Sequence, residues 1–266
     1  MPKKDSLPEV IYYSDVLNDE FSTMQIETPT IDGSYRYRRD GFFGRILHFL
    51  TFRLIGKPLA YIYLKSQFHH RIVGRNRLKP YKHQSIFLYG NHTQIIGDAL
   101  IPAFILRPRS MTVIVHPNNT AIPGIGKFVP YLGGMPLPSD VAATKNFMAE
   151  LTRRITKKKS PVVIYPEAHL WPYYTEIRPF KSTSFTYPIQ YKAPAFCFVN
   201  TYSKGKNGKV NIVTHVAGPF FAREGLSLSE AREDLRDQIY KAMKDIAYEY
   251  STYAKIRYVK KEESHD

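Results

Sequence analysis

His92 and Asp98 carry the first chemical signal, within the run Asn91-His92-Thr93-Gln94-Ile95-Ile96-Gly97-Asp98. An imidazole that donates from one ring nitrogen to a carboxylate is held in a single tautomer, and its other nitrogen becomes a better general base. A separation of six is too wide for neighbours on a regular helix, which need three or four. The pairing therefore requires a turn, which Gly97 permits; on spacing alone, a loop histidine bonded to backbone is the favoured reading. Glu167, in Tyr165-Pro166-Glu167-Ala168, is the second candidate. A carboxylate there could bind a substrate hydroxyl or ammonium, hold a basic side chain, or sit solvated on the surface. Arg178 and Lys181, with Arg107 and Lys127, could form a phosphate-binding patch, arginine by a two-pronged hydrogen bond and lysine as a point charge.

Several other chemistries fail on spacing. Ser182, Thr183 and Ser184 lie in no G-x-S-x-G elbow. The GIGK run at 124–127 lacks the spacing of a phosphate-cradling loop. The single cysteine, Cys197, excludes an internal disulfide and a cysteine-based zinc site, and it falls in an apolar strand as a core residue. His169 beside Glu167 raises the thought of a metal, but no H-x-x-x-H or E-x-x-H helix supports one, and no metal is expected.

The elements around these residues give them weight. Apolar runs predict strands over 86–89, 111–115, 162–165, 195–199 and 210–216, the last two joined by a turn. Helical spacing predicts a helix from near Asp98, one over 139–156 capped by Ser139 or Asp140, and one opened by the Ser227/Glu230 capping box. Alternating strands and helices predict an α/β fold, a mostly parallel sheet flanked by helices, with an N-terminal amphipathic helical segment. Sites in such sheets gather beyond the C-terminal ends of the strands. Asn91 and His92 follow the first of these strands and Glu167 follows the third, so both would face one crevice.

Upstream, residues 1–40 read as a tail or strap, 41–79 as an amphipathic membrane-associating segment, 80–256 as the α/β domain and 257–266 as a charged tail. Residues 41–64 are dense in Phe, Leu, Ile and Tyr, interrupted by Arg45, His48, Arg53 and Lys57 and divided by Pro58. Such a segment can lie in a bilayer interface with basic groups on phosphate headgroups, or fold as a helical hairpin on its own domain. The 38 Lys and Arg exceed the 23 Asp and Glu by 15, a surplus that attracts nucleic acid, anionic bilayers or phosphorylated substrates and favours the membrane for this segment. No run of 18 apolar residues predicts a spanning helix, and no secretory signal opens the sequence. Nucleic acid is not expected as a partner, because no helix-turn-helix, RNP or zinc signature is present. A non-enzymatic lipid-binding protein would explain the charge, but not His, Asp and Glu after strand ends.

Four blocks, in order across residues 86–200, together resemble the glycerolipid acyltransferase family, the lysophosphatidate (1-acylglycerol-3-phosphate) acyltransferases and their relatives. Asn91-His92 with Asp98 resembles the NH-x4-D block, with five intervening residues instead of four. Gly133-Gly134-Met135-Pro136-Leu137-Pro138 resembles the second block without its arginine. Tyr165-Pro166-Glu167-Ala168 resembles F-P-E-G, with Ala168, His169 and Leu170 where a glycine and an arginine are usual. Ala193-Pro194-Ala195-Phe196 resembles the fourth block. The resemblance implies a membrane-associated O-acyltransferase moving a fatty acyl group from acyl-CoA or acyl-carrier protein to a lysophospholipid such as lysophosphatidate. It implies His92 as the base and Asp98 as its orienting partner. Asn91, Gly134, Glu167, Arg178 and Lys181 would bind substrate. No cofactor is needed, the partners are the bilayer and the two substrates, and the location is interfacial, at the cytoplasmic face of a membrane. The absent arginines bear on the acceptor more than on the reaction.

Overall fold

The computed structural model describes residues 8–22, 27–39 and 41–261. Strand β1 (Glu9–Tyr13) is followed by helices α1 (Phe42–His48) and α2 (Lys57–Phe68). Next come β2 (Arg71–Val73), β3 (Phe87–Gly90), α3 (Gly97–Ile105), β4 (Thr112–Val115), β5 (Gly134–Pro136) and α4 (Val141–Thr156). The chain continues through β6 (Val162–Ile164), α5 (Thr186–Gln190), β7 (Ala195–Lys204), β8 (Val210–Phe220), α6 (Leu228–Tyr250) and β9 (Ile256–Lys260).

The main sheet has the order β2-β8-β7-β3-β6-β4-β5. β7, β3, β6, β4 and β5 run parallel; β8 returns antiparallel to β7, and β2 lies parallel to β8. This is the mostly parallel sheet between helices that the strand–helix alternation predicts. The strands are apolar on both faces because both faces are covered. Phe87 and Tyr89 of β3 pack with Phe147 and Leu151 of α4 and with Ile239 and Met243 of α6. Leu88, on the opposite face, packs with Leu64 and Phe68 of α2 and Ile101 of α3. Each such buried side chain contributes about 1.5–3 kcal/mol, so β3 is clamped from both sides and its C-terminal end is a rigid mount. The helices start where capping chemistry allows: Asp140 accepts the Ala143 N–H at 2.6 Å, and Ser227 and Glu230 close a reciprocal box at α6.

The structure redraws three boundaries. β5 is a strand that the Gly/Pro-rich composition hides; its Pro136 is tolerated because β5 is the last strand at the sheet edge. β2 belongs to the main sheet, so the α/β body begins by Arg71 and the helical segment does not extend to residue 79. Residues 257–260, expected in a charged tail, form most of β9, which pairs in parallel with β1. Tyr258 anchors β9 by stacking on Trp171 at 4.8 Å, a contact invisible to charge counting. Residues 1–7, 23–26 and 40 of the expected N-terminal strap and 262–266 of the tail lie outside the described residues.

The segment expected to be divided by Pro58 is one helical run. π-helical turns over Phe49–Gly56 join α1 to α2, and backbone angles stay helical across both junctions. Proline removes an N–H and crowds the carbonyl four residues earlier; the widened turns just upstream relieve that crowding. Phe52, Ala60, Leu64 and Phe68 face the body, whereas Phe42, Phe43, Ile46, Leu54, Leu59 and Ile62 are exposed. Among the described residues no helix is long and apolar enough to cross a membrane.

Candidate active site

β3 delivers Asn91 and His92 to the C-terminal edge of the sheet, and a tight turn over residues 93–96 leads into α3, whose first turn carries Asp98. The turn brings His92 Nδ1 to 2.8 Å from Asp98 Oδ2, so the wide interval is no obstacle. Gly97 is needed there: a Cβ would come within 2.9 Å of the Gln94 side chain. Asp98 Oδ2 also accepts the N–H groups of Thr93 at 2.8 Å and Gln94 at 2.9 Å, and Asn200 Nδ2 donates to Oδ1 at 3.1 Å. Burial pushes the Asp98 carboxyl above the usual range, opposed by the hydrogen bonds from His92 and these amides. Tyr165 stacks on the His92 ring at 4.8 Å and donates its hydroxyl to the Asp98 carbonyl at 2.5 Å. The imidazole is thus fixed in plane and in tautomer. Nδ1 is committed, and the ring, 26% exposed, has Nε2 available for a substrate hydroxyl. Ile95 and Ile96, both about half exposed, put apolar surface beside it.

Behind Asp98 runs a buried polar chain that motif reading does not find. Thr214 Oγ1 donates to Asn200 Oδ1 at 2.7 Å, and His70 Nε2 lies 2.8 Å from Thr214 Oγ1. Burial lowers the His70 pKa to about 4, so the ring is neutral at physiological pH. The available signal was positional: Asn200 is the first polar residue after the apolar run 195–199, just as His92 follows its own strand.

The structure assigns Asn91, Glu167 and Arg178 to the frame of the site and not to its open surface. Asn91 is 1% exposed and exchanges hydrogen bonds with the Asn200 backbone, at 3.1 Å to the carbonyl and 2.8 Å from the N–H, stitching β3 to β7. Glu167 is 3% exposed; its carboxylate accepts the His92 N–H at 3.1 Å and the Arg178 N–H at 3.2 Å. Burial raises its pKa, countered by the Arg178 charge. Arg178, 1% exposed, lies 3.5 Å from the Glu167 carboxylate and donates to the His169 carbonyl. Its guanidinium sits over the Trp171 ring, under a strap in which Asp19 O accepts Trp171 Nε1–H at 2.8 Å. A walled-off carboxylate and guanidinium hold the loop that carries them; they do not reach a lipid headgroup. Ala168 adopts a left-handed conformation (φ 64°), which explains why a glycine suits this position.

A model of the Acyltransferase family matches residues 70–202, half of the chain. The chain belongs to this family. Among solved structures, the 1-acyl-sn-glycerophosphate (LPA) acyltransferase PlsC from Thermotoga maritima shares the fold, with a TM-score of 0.52 and 16% identity over 80% of this chain and 90% of that one. The comparison with curated proteins returned no match.

Other expected ligands of this acyltransferase are scattered. Gly134 opens β5, three strands across the sheet from β3 and level in register with Leu88, and it is buried against Val129. Arg107 precedes β4, at the entry end of the parallel strands. Lys181 and Lys127 are exposed and free to meet an anion. Cys197 is buried, with its thiol pushed up to about 12. Among the described residues no three His, Cys, Asp or Glu side chains are grouped to hold a metal.

Proposed function

We propose that this acyltransferase moves a fatty acyl group from a thioester, acyl-CoA or acyl-carrier protein, to the hydroxyl of a lysophospholipid such as lysophosphatidate. The observation that carries this reading is the His92 Nδ1–Asp98 Oδ2 hydrogen bond of 2.8 Å, with the imidazole open on its other side. His92 Nε2 accepts the hydroxyl proton as the oxygen attacks the thioester carbonyl, and Asp98 stabilises the imidazolium that forms. As the tetrahedral intermediate collapses, the C–S bond breaks and the imidazolium returns its proton to the departing thiolate. Ester and thiol are the products, with no net change at the enzyme. Positioned general bases supply roughly 10²–10⁴-fold in rate.

The run from Phe42 to Phe68 seats the site at a bilayer surface. Its exposed Phe42, Phe43, Leu54, Leu59 and Ile62 enter the interface, and the half-exposed Ile95 and Ile96 offer apolar surface close to His92. An acceptor anchored by its own acyl chain then reaches the imidazole without leaving the membrane. The test is product identification by mass spectrometry after supplying a panel of lysophospholipids with both thioester donors. Acylated lipid and free thiol in equal amounts are expected; no acylated product from any pair would refute the proposal.

A further inference from the structure

A cavity of about 440 Å³ opens at the end of the sheet away from His92. Its floor is Met111, Thr112 and Ser160, at the entry ends of β4 and β6, which run parallel to β3. Nothing in the acyl-transfer reaction uses it. Arg39, Arg45, Arg109, Arg153, Arg154, Lys158 and Lys159 line it, and among the described residues Glu150 brings the one carboxylate of the lining. That carboxylate is already occupied: Arg153 holds both oxygens at 2.7 and 2.8 Å, and Arg154 adds a third bond at 2.7 Å. Among the described residues no carboxylate pairs with Arg39, Arg45, Arg109 or Lys159. Arg39 Nε is buried without a hydrogen-bond partner.

The wall is built and not a loose patch of surface lysines. Arg109 donates to the carbonyls of Tyr81 at 3.2 Å and Gln84 at 2.6 Å and to that of Lys159, fixing three loops at once. His48 donates from Nδ1 to the Tyr131 carbonyl at 2.5 Å, and its Nε2 accepts from Ser110 Oγ at 3.0 Å, which ties α1 to the lead-in of β4. A fixed concavity in which Arg39, Arg45, Arg109 and Lys159 have no carboxylate partner among the described residues repels itself when empty and is relieved by a multiply charged anion, whose oxygens match guanidinium forks. α1 also supplies the direction of approach. It places Arg45 and His48 on the cavity, while its Phe42 and Phe43, 71% and 83% exposed, project outward beside the mouth.

We infer that this cavity binds a phosphate ester, presented by the headgroup of an anionic lipid in the surface on which α1 rests. The site itself is independent of the acyl-transfer mechanism; only the lipid source rests on the membrane seating proposed above. The test uses the full chain and an Arg45→Gln/Lys159→Gln double variant, neither residue belonging to the catalytic site. Co-flotation compares phosphatidylcholine vesicles with and without phosphatidate, and calorimetry without lipid measures inorganic pyrophosphate. Loss of two cations is expected to weaken phosphatidate-vesicle binding by about 30-fold. Binding to neutral vesicles, and turnover in detergent, stay as in wild type. Pyrophosphate binds the wild type and not the variant. A charge control, Lys206→Gln/Lys260→Gln, removes two exposed lysines elsewhere and keeps wild-type binding. Pyrophosphate binding lost in the variant, with vesicle binding unaltered, supports the phosphate site and overturns the lipid source in favour of a soluble one. The site is overturned if the variant equals wild type in both arms, if wild type binds no pyrophosphate, or if the charge control loses as much as the cavity variant.

Discussion

Replacing Asp98 by Asn keeps the size of the side chain and removes one charge and one acceptor. In the native site Oδ2 takes three N–H donors and Oδ1 takes Asn200 Nδ2. An Asn oxygen left facing the three donors turns its own NH₂ toward the Asn200 NH₂, where Oδ1 had stood at 3.1 Å. Flipped, it aims NH₂ at His92 Nδ1 and selects the wrong tautomer. Either way the imidazolium loses a charge-assisted hydrogen bond worth about 1.5–3 kcal/mol, or roughly 10- to 150-fold in rate. Loss of the tautomer extends this toward the roughly 10⁴-fold ceiling of general-base catalysis. Because Asp98 is 3% exposed, it cannot touch substrate, and KM should stay within about threefold. Release of free thiol from the thioester, followed continuously, gives kcat and KM together, with thermal melting as the control for folding. A folded Asp98→Asn enzyme with kcat within about threefold of wild type would falsify the pairing as the source of catalysis.

Glu167→Ala leaves the buried Arg178 charge without its partner and should cost about 3–5 kcal/mol in urea-melt stability; a stability equal to wild type contradicts the framing role. His70 is neutral in the fold, with a pKa of about 4 against 6.5 for the unfolded chain, so its contribution is present above pH 6.5 and is lost as pH falls toward 4. The loss amounts to about 3 kcal/mol between those limits, and His70→Gln should lack it; an unchanged pH dependence in the variant rules out His70 as the titrating group. Phe42→Ser/Phe43→Ser should reduce flotation with neutral vesicles by about 10²-fold or more, given about 1.5–3 kcal/mol for each buried ring. Flotation equal to wild type would show that α1 does not enter the bilayer.

The general architecture is legible in the sequence because a central strand buried on both faces is written as an unbroken apolar run. Phe87–Tyr89, Val162–Ile164 and Ala195–Val199 announce themselves in this way. The strand-end rule then singles out His92 and Glu167 without any motif. Their roles were less legible. Glu167 and Arg178 look like a headgroup site in sequence, yet a residue's exposure depends on what folds over it, and residues 8–22 are distant in the chain. Gly134 sits in a recognisable block, but that block forms β5, the edge strand three places across the sheet from β3, and spacing along the chain does not encode that lateral distance. β5 and β9 escape composition because their pairing is decided by neighbours far along the chain. The Asn200–Thr214–His70 chain crosses three strands, β7, β8 and the lead-in to β2, and no local spacing encodes it.

The most direct measurement is acyl transfer by His92→Ala, at saturating thioester and lysophospholipid, beside wild type. Turnover should fall by at least about 10²-fold with melting temperature and vesicle binding retained, because only the proton acceptor has been removed. Transfer at the wild-type rate by the folded, membrane-bound variant would mean that another group takes the hydroxyl proton.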